Sequence, residues 1–269
     1  MPLTRRIYPT RYGQVHVRSS AGKGVPLVLL HSSPRSGEMW EALQDRLGRP
    51  SYAPDRLGYG FSEAPPWALS MEQYAQATAE ALRAAGLTGP FDVLGMHAGS
   101  MEAIELAHQM AGDVRRVAAV GMPLFTPEEQ QRQLERYSEQ PLRPATEGGH
   151  ILGAWRGCFA FRAPPYDLSD VHRRFVEHLL SANPGAALRA VCGYPVEKKL
   201  RSLEAPLLIL APYDDLREQT ERVKPLLKPE DAYFDLPAVA FDPFLVAVER
   251  MAELLKRHLP AQGPVEPWD

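Results

Sequence analysis

An imidazole between glycines stands where an apolar run gives way to a helical pattern. Gly95-Met96-His97-Ala98-Gly99 closes the run Phe91–Met96 and opens the stretch Ala98–Met110. A histidine at such a junction suits general-base or nucleophilic work, because its ordinary pKa lies near neutrality. Two carboxylates, Asp214 and Asp215, follow a second apolar run, Ala205–Pro212. A carboxylate beside the ring would fix its tautomer and stabilise the imidazolium. Ser100 is a rival nucleophile, but it falls in the first helical turn, where serine serves well as a cap. The remaining histidines do not suggest a metal. His172 and His178 are six apart, a spacing that does not put both rings on one helix face. No glycine-rich loop has phosphate- or dinucleotide-binding spacing, so no cofactor is implied.

The elements that must position these groups alternate. A hairpin is expected over Arg6–Tyr8 and Gln14–Arg18, turning near Tyr12-Gly13. Val25–Leu30 is a short continuous apolar run, as in a strand buried on both faces. A helix over Glu38–Leu47, a strand Ser51–Asp55 and a helix Ser70–Ala85, capped by Ser70, follow. The strand Phe91–Met96, the helix after it and the strand Val117–Pro123 continue the alternation. The strand Ala205–Pro212, a helix near Leu216–Leu227, a strand Ala232–Leu236 and a helix Asp242–Leu259 complete it. Such alternation predicts right-handed βαβ units around a parallel sheet.

Residues 124–203 break the rhythm. They carry helical patterns without a convincing strand and are rich in aromatics, among them Tyr137, Trp155, Phe159, Phe161, Tyr166, Phe175 and Tyr194. An insertion after a strand's C-terminal end lies over the crevice where α/β proteins bind ligands, so this segment reads as a helical lid. Most of its aromatics are expected to pack its own core; Trp155 is a candidate for the crevice. The domain division is then a core of 1–123 and 204–269, with a cap over 124–203.

Four motifs, in this order, resemble the α/β-hydrolase superfamily over essentially the whole chain. His31-Ser32-Ser33-Pro34 is similar to the His-Gly loop that supplies half of an oxyanion hole. Asp55-Arg56-Leu57-Gly58-Tyr59-Gly60-Phe61-Ser62 matches the D-x-x-G-x-G-x-S turn. Gly95 to Gly99 sits where the nucleophile elbow G-x-S-x-G belongs, a strained turn that aims its central side chain into the crevice. Leu210-Ala211-Pro212-Tyr213-Asp214-Asp215 resembles the strand end bearing the triad acid, which the resemblance assigns to Asp215. It also implies oxyanion donors at the backbone N–H groups of Ser33 and Ala98. Ser32 replaces the usual glycine and, with Arg35 nearby, is a possible substrate contact. Arg35 is equally placed for a salt bridge to Asp55 or another loop carboxylate. Asp55, Arg56 and His31 read as structural.

The resemblance breaks at two places. His97 occupies the nucleophile position. The triad histidine is missing, because no histidine occurs from Pro212 to Arg257, and Phe241 takes its slot and becomes a possible substrate contact. The serine–histidine relay therefore cannot operate. Ser100 fits the elbow poorly, since its +2 neighbour is the bulky Glu102. The residues suggest a collapsed triad, in which His97 reaches Asp215, or Asp214 beside it, and acts as general base or nucleophile. The reading favours a cofactor-independent enzyme on a small carbonyl compound. Its alternatives are a base-promoted lyase, decarboxylase, cyclase or oxygenase, or an inactive ligand-binding protein on the same fold.

Bulk properties narrow the partners. The chain has 269 residues, 45% hydrophobic and 23% charged, with a net charge of −3 and a pI of about 6.3. These values give no reason to expect nucleic acid or an anionic membrane as partner. The N-terminus lacks the apolar run of a secretory signal, and no stretch nears the roughly 18 apolar residues of a membrane span. Two cysteines, Cys158 and Cys192, fit a reduced cytoplasmic protein. Nothing in the residues specifies an oligomer.

Overall fold

The computed structural model describes residues 3–137, 143–159, 167–240 and 243–263. Eight strands form one sheet: β1 (Thr4–Thr10), β2 (Gly13–Ser20), β3 (Leu27–Leu30), β4 (Ser51–Pro54), β5 (Phe91–Met96), β6 (Val114–Val120), β7 (Leu207–Tyr213) and β8 (Ala232–Ala240). Their spatial order is β1-β2-β4-β3-β5-β6-β7-β8. The N-terminal hairpin pairs antiparallel, as does β2 with β4, and every pairing from β4 to β8 is parallel. This is the α/β-hydrolase arrangement that the motifs imply.

The helices are α1 (Glu41–Leu47), α2 (Met71–Ala84), α3 (Ala98–Gln109), α4 (Pro127–Arg136), α5 (Gly149–Gly157), α6 (Leu168–Leu180), α7 (Ala186–Gly193), α8 (Val196–Arg201), α9 (Arg217–Glu221), α10 (Pro243–Val246) and α11 (Val248–His258). None of them is long and apolar enough to cross a membrane. Ser70 caps α2 as expected, in a reciprocal capping box with Gln73.

Period-two alternation explains why the central strands are apolar throughout. Val28, Leu30, Val93, Val117, Ala119, Leu207 and Ile209 join one cluster, with α2 and α3 residues such as Tyr74 and Met101. Leu27, Leu29, Leu94, Ala118, Val120, Leu208 and Leu210 join the other, with Leu43 of α1 and Leu255 of α11. Helices cover both faces, so both sets of side chains leave water.

Several boundaries differ from the sequence pattern. β6 begins at Val114, ahead of its apolar run, because Arg115 and Arg116 find buried partners. Arg115 grips Asp92 at 2.9 and 2.7 Å, and Arg116 donates to the His258 carbonyl at 2.5 Å. The expected helix near Leu216–Leu227 is split into α9 and a 3₁₀ turn at Lys224–Leu226, since Pro225 has no N–H to continue it. The C-terminal helix is interrupted at Ala247.

Between β6 and β7 lie α4 to α8, with no strand among the described residues. This segment is not uniform. α7 packs on α2 and α3 and α8 on α3, and Val191, Tyr194 and Leu200 belong to the main core. α5 and α6 pack on each other, with Trp155 edge-on to Phe159 and Phe175 at 5.2 and 5.4 Å. Phe161, Tyr166 and Phe241 lie outside the described residues.

Candidate functional site

The turn from β5 into α3 is built by close backbone approach. A Cβ on Gly95 would sit 2.0 Å from the Gly99 carbonyl oxygen, and one on Gly99 would sit 2.2 Å from that of Leu30. Neither position can carry a side chain. His97, between them, has φ 52° and ψ −115°, and is the one non-glycine residue with positive φ among the described residues. Such a conformation costs about 1–3 kcal/mol and persists only where surrounding packing enforces it. The His97 N–H stays in the ladder, donating to the Val120 carbonyl at 2.9 Å. Its own carbonyl accepts from the Ser100 N–H at 2.9 Å and the Ser100 hydroxyl at 2.5 Å. Ser100 is fully buried and its hydroxyl is held by the turn.

His97 Nε2 lies 2.9 Å from Oδ2 of Asp214, whose side chain is shut off from solvent, while that of His97 is 17% exposed. An ionised carboxylate only accepts, so the bond puts the proton on Nε2, and the neutral ring then carries its lone pair on Nδ1. The other Asp214 oxygen accepts from the Leu216 N–H at 3.0 Å, which locks the carboxylate at the end of β7. The carboxylate bonded to the ring is thus Asp214 and not Asp215. Asp215 is exposed at the rim. Its pKa is raised, first by loss of water around the carboxyl and also by the negative Asp214, with His97 opposing.

Ligand atoms of His97, Asp214 and Asp215 all lie within 4.8 Å of one another, the one such trio among the described residues that could hold a metal ion. Two of these three residues, His97 and Asp214, are already hydrogen-bonded to each other.

The loop after β3 is anchored from below. His31 Nδ1 lies 2.7 Å from the Ser32 carbonyl, and its Nε2 accepts from the Arg56 N–H at 2.8 Å, so the ring is neutral. Burial first, then the Arg56 charge, lowers its pKa to about 3. Arg56 binds the Ser33 hydroxyl at 2.9 Å and Glu102 at 2.7 Å. Asp55 accepts from Arg18 at 2.7 Å, the Gly37 N–H at 2.7 Å and the Phe61 N–H at 2.9 Å. These residues are structural, as the sequence suggested.

Three substrate-contact candidates are otherwise engaged. Arg35 is 7% exposed and its guanidinium donates to Glu177 of α6, whose other oxygen accepts from the Ser36 N–H at 3.0 Å and hydroxyl at 2.6 Å. Arg35 is thus salt-bridged, but to a carboxylate on α6 and not to Asp55 or another loop carboxylate, a pairing that sequence spacing could not reveal. Ser32 is buried, with its hydroxyl 3.8 Å from the Met39 sulfur. Trp155 packs within the α5–α6 pair. Ala98 is the first residue of α3, so its N–H has no acceptor within the helix.

The chain matches the model of the alpha/beta hydrolase family over residues 27–265. It is 26% identical over 268 residues to "Putative hydrolase LipZ" of Mycobacterium tuberculosis, covering 92% of this chain and 93% of that protein. Similar solved structures include a hydrolase from Pseudomonas aeruginosa, with TM-score 0.79, 18% identity, and coverage of 95% of this chain and 98% of that one. A thermophilic esterase from Thermogutta terrifontis has TM-score 0.75 and 20% identity, with 96% and 98% covered. The enol-lactonase from Burkholderia xenovorans has TM-score 0.77 and 17% identity, with 93% and 98% covered.

Proposed function

The chain belongs to the alpha/beta hydrolase family, and on that premise we propose that it hydrolyses small esters or lactones with His97 as base and Asp214 as its orienting partner. The observation that carries this reading is the 2.9 Å contact between His97 Nε2 and Asp214 Oδ2, made from a strained elbow. Strain of that kind, held at a crevice, is how this turn presents a reacting group.

The Nδ1 lone pair takes a proton from water as the water oxygen bonds to the substrate carbonyl carbon. The carbonyl oxygen gains the negative charge. Backbone N–H groups of Ala98, at a helix N-terminus, and of Ser33 are the donors for it. Collapse of the intermediate breaks the bond to the alkoxide, which leaves with the proton from Nδ1. Asp214 stabilises the transient imidazolium. Direct attack by Nδ1, giving an acyl-imidazole that water then cleaves, uses the same groups. Residues 124–203 are the cap in this reading, tied to the crevice loop through Glu177. Two cysteines without a disulfide suit a reducing, cytoplasmic setting.

The test is turnover of short-chain p-nitrophenyl esters and small lactones by wild type, His97→Ala and Ser100→Ala. His97→Ala should lose at least about 100-fold in kcat, the usual scale of a general base. Ser100→Ala should keep its activity, and a fluorophosphonate probe should leave Ser100 unlabelled. Unchanged turnover in His97→Ala, or labelling of Ser100, would sink the reading.

A further inference from the structure

The pair His97–Asp214 joins residues at the ends of β5 and β7, yet these strands are not neighbours. β6 runs between them. Register places Met96 beside Val120 and Val120 beside Leu210, so the first residue past β6, Gly121, falls under the bond that bridges the gap. Gly121 has φ +62°, and its N–H donates to the Leu210 carbonyl at 3.2 Å. A Cβ there would lie 2.6 Å from His97 Cδ2, 2.8 Å from His97 Nε2 and 2.8 Å from Asp214 Oδ2.

We propose that Gly121 is a positioning residue, whose missing side chain opens the space through which His97 and Asp214 meet over the end of β6. The inference rests on reading that pair as the working dyad. All three atoms in the way belong to side chains. At Gly95 and Gly99 the obstruction is backbone, and nothing can move aside. An added methyl at 121 is instead relieved by turning the imidazole or the carboxylate, so the pair separates while the fold holds. The elbow histidine and the glycine at 121 therefore form one unit: a ring long enough to reach the acid directly, and a strand end bare enough to let it pass.

The test compares Gly121→Ala with Gly48→Ala. Gly48 has nearly the same φ, +67°, and a Cβ there meets nothing within 4 Å, so it isolates the strain of a positive φ from contact. The readout is the ring ¹⁵N spectrum of His97, assigned by its loss in His97→Ala. It needs no substrate and stays valid whether or not the protein is a hydrolase. Gly121→Ala should shift the His97 ring nitrogens away from the Nε2–H pattern, and Gly48→Ala should not. Where turnover is measurable, Gly121→Ala should fall with Asp214→Asn. Unaltered His97 ring signals in Gly121→Ala would overturn the proposal, even if His97 is essential for turnover. Should Gly121→Ala fail to fold, the same change is made in His97→Ala. Recovery of folding there confirms that the methyl collides with the ring, and equal failure in both backgrounds overturns it.

Discussion

Asp214→Asn is the sharpest probe of the proposed chemistry. The substitution keeps the side chain's shape and removes its charge. The Leu216 N–H, 3.0 Å from Oδ1, selects the orientation of the new amide. The amide oxygen stays on that N–H, and the NH₂ group takes the Oδ2 position, facing His97 Nε2. Only a lone pair on Nε2 suits that contact, so the ring proton moves to Nδ1, the atom that should act as base. The stabilisation of the imidazolium is lost as well. A hydrogen bond to a charged group contributes about 1.5–3 kcal/mol. The Asp214 side chain is 0% exposed and that of His97 17%, so screening by water removes little of it. At 1.36 kcal/mol per decade, kcat should fall roughly 10- to 150-fold from the lost bond alone. The charge pair, at about 4 Å and an effective dielectric of 20, limits the electrostatic loss to about 4 kcal/mol. Steady-state kinetics on a short-chain ester should show the loss in kcat with little change in KM, because the imidazolium forms only in the transition state. Asp215→Asn, which alters the carboxylate that is not bonded to the ring, should cost no more than about fivefold. Asp214→Asn within about twofold of wild type, or Asp215→Asn equally damaging, would refute the assignment.

Three further outcomes test the frame around the site. His31 has a folded pKa of about 3 against an ordinary 6.5, so its stabilising contribution is complete above pH 6.5 and is lost as the pH falls toward 3. Between pH 6.5 and 5, wild type should lose about 2 kcal/mol more than His31→Asn in urea denaturation, and parallel pH profiles would contradict a neutral buried His31. Glu177→Ala takes the carboxylate from a guanidinium whose side chain is 8% exposed, and should cost about 3–5 kcal/mol of stability in the same assay, whereas a loss under 1 kcal/mol would make the tie between α6 and the loop unimportant. Adding EDTA should leave turnover unchanged; its loss, with recovery on adding zinc, would reassign His97, Asp214 and Asp215 to a metal.

The alternation of strands and helices was legible because each central strand is buried on both faces and each glycine of the elbow has no room for a side chain. The absence of any histidine from Pro212 to Arg257 was likewise legible without reference to coordinates. Element ends were less legible where arginines or a proline stood in an apolar pattern, as at Arg115, Arg116 and Pro225. Long-range polar pairing was not legible at all. The choice of Asp214 over Asp215 depends on how the chain turns after β7 and on the Leu216 N–H that fixes the carboxylate. Glu177 reaches Arg35 across 142 positions, which no local spacing encodes. Gly121 passes unnoticed in the sequence because its role is empty space, and space is defined only by neighbouring strands.

The sequence by itself determined the layered α/β core, the histidine between the elbow glycines and the lack of a histidine from Pro212 to Arg257, since these follow from local periodicity and residue identity. Only the tertiary structure decided which carboxylate meets the ring, which glycine lets it through and which charges the loop beside it uses. Those are contacts between residues far apart in the chain, and their energies depend on distances that folding alone sets.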